Sequence, residues 1–421
     1  MKRILAMGVA LTLMLSMLTA CSKDDDSTSK DSSSGATTTT ENESEEEPVP
    51  TVPVDITQGA TEDMLKRSVL NEGDQSRLAE KVSYALENKE EITKICFLGD
   101  SITAGSAASS SGNQYTRQFG TWWEENVSYF VDVINAGIGA TDSYLAAHRV
   151  ERDVLSQEPD IIFIEFINDV DNDFYKSAMD SLIRRCLSAK NNPAVILIEM
   201  TMEDGTTPQI SHSEVAKAYD VPVISYHDAV MPEIKAGTLQ WTAISPDNIH
   251  PNDAGHILLG QLLTDYTNNV MKNIDTIDKE VKAFDKEAVT ADPYKNGSIE
   301  NRQSEIVSVT DEGAFTEVVE FQGKFTDGWG TKAGGSITFE VEAQNIGMLY
   351  NKSVDGTYGT VSIIVDGKEL KPINADFTNG WGSYACMEEF YTSDAPAKHT
   401  VTITVTDETK PNFDIYSLLV S

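Results

Sequence analysis

The sequence predicts a doubly wound α/β domain with a flavodoxin-like parallel sheet, followed by a mostly antiparallel β-sandwich domain of the jelly-roll kind. Residues 61–275 alternate helical stretches with short β-branched apolar runs, whereas residues 300–421 alternate apolar with polar side chains. Residues 276–299, rich in Asp, Lys, Thr and Asn, are the predicted linker. Residues 21–60 lack the apolar content that a folded core needs.

The first residues have the form of an export signal. Lys2 and Arg3 precede the apolar run Ile4–Leu18, which is too short for a stable membrane span. The run leads into Leu-Thr-Ala-Cys, ending at Cys21, and this sequence resembles the lipobox of bacterial lipoproteins. The resemblance implies a signal peptide of residues 1–20, lipidation of Cys21, and anchoring at the extracellular face of the cell membrane. An ordinary signal peptide cleaved elsewhere is the alternative.

Composition indicates a spacer and narrows the choice of partners. Residues 21–60 are rich in Ser, Thr, Asp and Glu, which predicts a disordered acidic tether. The formal net charge of the whole chain is −35, and this argues against nucleic acid as a partner. With Cys21 lipidated, the remaining three cysteines form no disulfide framework. Of these, Cys96 and Cys186 lie in apolar or helical stretches and are expected to be buried.

The α/β domain is predicted from its candidate strands. Continuous apolar runs separated by helices indicate a parallel sheet covered on both faces, with functional residues just after the carboxyl ends of the strands. The runs are Ile95–Leu98, Phe130–Ile134, Ile161–Phe166, Ala194–Ile198 and Val221–Ile224.

The second domain is predicted from apolar residues that recur at every second position, as in a strand with one buried face. Ile337, Phe339 and Val341 alternate with polar residues, and Asp366-Gly367 separates two strand-like segments as a hairpin turn would.

Two glycine-rich segments of that domain each carry a tryptophan. Trp329 and Trp381 both lie between glycines, and an exposed indole can stack on a sugar ring. They are therefore candidate sugar-stacking residues, with packing inside the domain or against the first domain as the alternative.

A serine follows the first predicted strand, and a matching base lies far along the chain. Gly99-Asp100-Ser101 places a hydroxyl at the strand's carboxyl end, although serines on such loops commonly only shape the turn. Asp247 and His250 are three residues apart on one loop, so the carboxylate can hold one imidazole nitrogen while the other faces the serine. The predicted catalytic triad is Ser101, His250 and Asp247.

At these residues the chain resembles the SGNH hydrolases, also called GDSL esterases, across residues 92–265. The four blocks of that family match, in order, Gly99–Ser101, Asn135–Thr141, Phe166–Asp169 and Asp247–His250.

The resemblance also implies an oxyanion hole, which stabilises the negative charge formed on the ester oxygen. Its donors would be the N–H of Ser101, the N–H of Ala140 and the side-chain amide of Asn168, with Gly139 as a competitor for Ala140. The family usually has glycine where this chain has Ala140, and again where it has Phe166.

The expected function is removal of a small acyl group, most plausibly acetyl, from an extracellular polysaccharide, without a metal or other cofactor. Esterases that act on carbohydrates often combine such a catalytic domain with a β-sandwich. A lipase or general acylhydrolase, and a non-catalytic glycan-binding lipoprotein, are the alternatives. His256 follows His250 at a spacing that matches no common zinc pattern, and a helix-capping or packing role is expected for it. His148, among alternating charges, is expected on a solvated helix face.

Overall fold

A six-stranded sheet forms the centre of the first domain in the computed structural model, which describes residues 52–421. Its strands are β1 Val69–Asn71, β2 Ile92–Gly99, β3 Phe130–Gly137, β4 Ile161–Glu165, β5 Ala194–Glu199 and β6 Val223–Ser225. The order across the sheet is β1-β6-β5-β4-β2-β3. Strands β2 to β6 run parallel in the flavodoxin order, and β1 is an antiparallel edge strand. The predicted doubly wound fold is confirmed, and β1 is an addition to it.

Helices cover both faces of this sheet. They are α1 Glu62–Ser68, α2 Ser76–Glu87, α3 Ser101–Ala104, α4 Tyr115–Asn126, α5 Ser143–Asp153, α6 Asp173–Leu187, α7 Gln209–Tyr219, α8 Tyr226–Ala236, α9 Trp241–Ile244 and α10 Asp253–Lys272. Alternate residues of β2 enter separate apolar clusters, Ile95 and Phe97 on one face and Cys96 and Leu98 on the other. Cys96 and Cys186 are both fully buried, as predicted.

The second domain is a ten-stranded antiparallel sheet around one apolar cluster. Its strands are β7 Ser298–Glu300, β8 Val307–Asp311, β9 Glu317–Phe321, β10 Phe325–Thr331, β11 Gly335–Lys352, β12 Thr360–Val365, β13 Lys368–Glu369, β14 Ile373–Asn374, β15 Tyr384–Val405 and β16 Phe413–Val420. The predicted alternation is confirmed, because Ile337, Phe339 and Val341 are all fully buried. The predicted hairpin is also present, with φ of 50° at Asp366 and 79° at Gly367.

The two domains share apolar surface. Tyr144 and Leu145 of α5 belong to the same buried cluster as Leu349, Ala385 and Leu419 of the β domain. Strands β7 and β16 pack on α5, so this helix is covered rather than solvated.

His148 accordingly departs from the expectation. It lies on α5, is 2% exposed and bonds to the carbonyl oxygen of Tyr144. The prediction of a solvated face was wrong because the charge pattern of a helix does not reveal that a second domain covers it.

The signal peptide, Cys21 and most of the tether lie outside the described residues. Within residues 52–421, no helix combines the length and apolar character needed to cross a membrane.

Candidate active site

Ser101 stands where β2 ends, as the first residue of α3. The backbone of α3 lies close to the end of β3, and this requires glycine at position 137. A Cβ on Gly137 would lie only 2.3 Å from the backbone nitrogen of Ala104. The side chain of Asp100 accepts a hydrogen bond of 3.0 Å from the N–H of Ile102 and so fixes the turn. Ser101 is 8% exposed, so its hydroxyl is held in a well-packed loop.

The three residues of the predicted triad are joined by hydrogen bonds. Nε2 of His250 lies 2.9 Å from Oγ of Ser101, and Nδ1 lies 2.9 Å from Oδ2 of Asp247. The other carboxylate oxygen of Asp247 accepts from the N–H groups of His250, at 2.7 Å, and Ile249, at 2.9 Å. Partial burial raises the pKa of Asp247, but its hydrogen bonds with His250 and Ile249 outweigh burial and hold the pKa below its usual value. The carboxylate therefore stays ionised and orients the ring.

The predicted oxyanion donors Gly139, Ala140 and Asn168 line the same cavity as Ser101. Ala140 has a φ of 59°, so alanine adopts here the left-handed conformation that usually favours glycine. Neither Gly139 nor Ala140 donates its N–H to another described residue, and both line the cavity that contains Ser101. Asn168 donates one amide hydrogen to the carbonyl oxygen of Thr141, at 3.1 Å, which leaves the second hydrogen for a ligand.

Phe166 does not disturb the loop that carries Asn168. Its side chain is 1% exposed and packs in the apolar cluster shared with the β domain. The backbone N–H of Asn168 still reaches Oδ2 of Asp100, at 3.2 Å. The bulky residue therefore fills the core while the loop keeps its contact with the serine turn.

Buried carboxyl groups hold the loops that carry Ser101 and Asn168 through hydrogen bonds. Burial raises the pKa of Glu165 to about 7, and Thr103 donates a hydrogen bond of 2.8 Å to it. Burial and the neighbouring Glu165 also raise the pKa of Asp100. Asp169 accepts a hydrogen bond of 2.9 Å from the N–H of Ser143. Asp100 and Asp169 therefore hold these loops in place through hydrogen bonds.

The cavity in front of Ser101 has a volume of about 550 Å³ and is built by both domains. The first domain contributes the triad, the oxyanion loops, Ser106 and the residues between Asp247 and His250. The β domain contributes Phe321, Gln322, Trp381, Ser383 and Tyr384.

Sequence reasoning missed Phe321, Gln322 and Ser383. The sequence Phe-Gln-Gly-Lys, which begins at Phe321, does indicate a turn between strands. Nothing local in it indicates that the turn will lie over a serine more than two hundred residues earlier in the chain.

The two candidate sugar-stacking tryptophans have opposite environments. Trp381 is 72% exposed and stacks on Tyr384, with 4.9 Å between ring centroids. Trp329 is 1% exposed and packs edge-to-face on Phe339, at 4.9 Å. For Trp329 the packing alternative holds and sugar stacking is ruled out, because this residue lies within β10 and its indole faces the core of the β domain.

The remaining histidine near the site has a packing role, as expected. The ring of His256 stacks on Tyr115 and lies 3.2 Å from the carbonyl oxygen of Ser106. Among residues 52–421, no three His, Cys, Asp or Glu side chains are grouped as metal ligands would be.

Residues 97–258 match the model of the GDSL-like Lipase/Acylhydrolase family. Two crystal structures of a two-domain esterase (CEX) active on acetylated mannans resemble the chain over both domains. One is co-crystallised with mannopentaose; it is 29% identical, with a TM-score of 0.76, and covers 85% of this chain and 97% of that one. The other is 29% identical, with a TM-score of 0.74, and covers 85% and 98%.

A catalytic mutant of Axe2, an acetylxylan esterase from Geobacillus stearothermophilus, is 22% identical and has a TM-score of 0.36, covering 42% of this chain and 94% of that one. Comparison with curated proteins finds no match.

Proposed function

The chain carries a domain of the GDSL-like lipase/acylhydrolase family at residues 97–258, and we propose that it is a serine esterase that removes acetyl groups from a polysaccharide. One observation carries the proposal: the continuous hydrogen bonding from Asp247 through His250 to Ser101, at the mouth of a cavity lined by free N–H groups. Such an arrangement activates a serine hydroxyl for attack on an ester carbonyl.

In the proposed reaction, Oγ of Ser101 attacks the acetyl carbonyl carbon while Nε2 of His250 accepts the hydroxyl proton. Asp247 stabilises the imidazolium that forms. The carbonyl oxygen becomes an oxyanion, which is stabilised by the amide of Asn168 and an N–H from the Gly139–Ala140 turn. His250 then returns the proton to the sugar oxygen as the carbon–oxygen bond breaks. Water, deprotonated by His250, attacks the acetyl-enzyme, and acetate leaves as Ser101 recovers its proton.

The proposal of a polysaccharide substrate rests on the wall that the β domain contributes. Trp381 and Tyr384 form a stacked aromatic surface on the same cavity as Ser101, and the C–H face of a sugar ring packs well on such a surface. The similar two-domain esterase is active on acetylated mannans, and the likeness extends over both of its domains. An acetylated mannan is therefore the first polymer to test.

Attachment to the outside of the cell through a lipidated Cys21 is part of the same proposal. It is supported by the sequence of residues 1–21. A tether of residues 21–60 would let the enzyme reach a polymer away from the membrane surface.

Acetate release by the full chain and by its Ser101→Ala variant tests the proposal. Loss of the nucleophile should lower turnover by about a millionfold, to background. Ser156→Ala, at an exposed serine outside the cavity, should behave as wild type. Acetylated mannan, acetylated xylan and 4-nitrophenyl acetate serve as substrates, with the melting temperature measured for each variant. Clear turnover by folded Ser101→Ala would refute the assignment.

Two further measurements separate the alternatives. On 4-nitrophenyl esters of increasing chain length, a deacetylase should be fastest with acetate, whereas a lipase should prefer longer chains. Mannan binding without release of any acyl group would instead support a non-catalytic glycan-binding protein.

A further inference from the structure

A chain of three buried ionisable groups lies behind the oxyanion loops, and the reaction described above does not use it directly. The ring of His212, on α7, sits between Asp169, 3.0 Å from Nε2, and Glu199, 3.2 Å from Nδ1. His212 and Glu199 are each 1% exposed and Asp169 is 2% exposed. Both ring nitrogens face carboxylate oxygens, so both can donate only when the ring is a cation.

The charge of this ring is consistent with its contacts. Burial lowers the pKa of His212, but Glu199 and Asp169 outweigh burial and raise the pKa to about 10. The imidazolium is therefore the stable form at neutral pH, and it lies between the carboxyl groups of Asp169 and Glu199. Burial raises the pKa of Glu199, and the neighbouring His212 opposes that rise.

Asp169 connects this chain of groups to the oxyanion hole. It directly follows Asn168, and its Oδ1 accepts a hydrogen bond of 2.9 Å from the N–H of Ser143. Ser143 begins α5, just after the turn that contains Ala140. The amide of Asn168 in turn donates to Thr141. One carboxylate thus ties the loop that carries the side-chain donor to the loop that carries the backbone donor.

Glu199 anchors the far end of the chain of groups to the sheet. It is the last residue of β5, while Asp169 follows β4. His212 therefore fixes Asp169 relative to a rigid strand, through a charged hydrogen bond on each side.

The positive charge of His212 also affects the electrostatic potential at the oxyanion hole. Asp169 and Asp142 are buried carboxyl groups near the oxyanion loops, and an unpaired carboxylate there would repel a developing oxyanion. An imidazolium 3.0 Å from Asp169 offsets that charge.

We propose that His212 is a positioning residue for the oxyanion hole, holding Asp169 across the two donor loops and compensating its charge, with Glu199 as its anchor. The proposal rests on the esterase function proposed above.

His212→Gln is the test, because glutamine can keep one hydrogen bond but cannot supply the charge. With 4-nitrophenyl acetate, kcat should fall by about ten- to a hundredfold while KM stays within about twofold, since small misplacements of catalytic groups act on the transition state. Affinity for methylboronic acid, which forms a tetrahedral adduct with an active serine, should fall by a similar factor. Affinity for mannopentaose should not change.

His399→Gln is the matched control. His399 is 5% exposed and lies 2.7 Å from the exposed Asp366 in the β domain, so the substitution also replaces a buried histidine and removes a His–Asp contact. Its kcat and its boronate affinity should equal those of wild type.

Wild-type kcat and boronate affinity in a folded His212→Gln protein would overturn the inference. An equal loss of mannopentaose affinity would also overturn it, because general disruption would then explain the effect. If His212→Gln does not fold, Glu199→Gln, which keeps an acceptor for the ring, is judged by the same two criteria. Absence of turnover in wild type would instead contradict the esterase proposal itself, so the two failures are distinguishable.

Discussion

Replacing Trp381 and Trp329 one at a time with alanine tests the division of roles between the domains. The two substitutions remove the same side chain from similar glycine-flanked positions. Trp381 is 72% exposed, so its loss should change the free energy of unfolding by only about 0.5 kcal/mol. Trp329 is 1% exposed, and its loss should cost about 3–5 kcal/mol through lost burial and the cavity left behind.

The kinetic effects should be the reverse of the effects on stability. An aromatic stacking contact contributes about 0.5–1.5 kcal/mol, which corresponds to about a two- to twelvefold loss of kcat/KM for Trp381→Ala on acetylated mannan. On 4-nitrophenyl acetate the same variant should match wild type, because that substrate is too small to need the sugar-binding wall. Trp329→Ala should melt at a lower temperature and, where folded, treat both substrates as wild type does.

The assay is kcat/KM on both substrates for each variant, with melting temperature alongside. Equal loss by Trp381→Ala on polymer and small ester, at an unchanged melting temperature, would refute polymer binding by this indole. It would indicate that Trp381 shapes the acyl site instead. No loss on either substrate would remove Trp381 from the proposed binding surface.

Three further outcomes are expected. Ending the chain after residue 290 should give a protein that aggregates in size-exclusion chromatography, because the apolar surface around Tyr144 and Leu145 loses its cover from the β domain. The free energy of unfolding should differ most between wild type and His212→Gln below pH 6.5 and converge as the pH rises through about 10, because a raised pKa stabilises the fold only while the ring is protonated; urea titrations across that range measure this. Cys21→Ser should move the protein from the membrane fraction to the soluble fraction after high-salt washing, and retention in the membrane would contradict the lipidation prediction.

The fold and the triad could be predicted because their signals are local. The central strands β4 and β5 and the second half of β2 are nearly continuous apolar runs, and their burial on both faces follows from that composition. Asp247 and His250 lie on one short loop, so their contact follows from the spacing alone. The position of Ser101 at a strand end then brings it to the same edge of the sheet.

The domain contact could not be predicted, because it depends on distant segments that share no pattern. The charges on α5 indicated a helix face exposed to solvent, yet β7 and β16 cover the helix.

The burial of Trp329 and the exposure of Trp381 could not be predicted either, because both depend on the register of strands. Trp329 pairs with Ile415 in the sheet and so has an inward register, whereas Trp381 precedes the start of β15 and stays outside. Glycine neighbours, which both residues have, do not decide the direction of a side chain.

The two domains form different walls of the cavity, and the two walls differ in how well they tolerate substitution. The wall around Ser101 is constrained by buried groups such as Asp100 and Asp169, so a change there alters the catalytic geometry as well as the fold. Gln322 and Trp381 are exposed residues of the opposite wall, and substitutions at such positions usually cost little stability. A change of polymer preference should therefore arise more readily in the β-domain turns than in the triad loops. Exchanging only those turns between esterases of this architecture should shift polymer preference while the rate on 4-nitrophenyl acetate stays constant, and a parallel fall in that rate would show that the two walls are coupled.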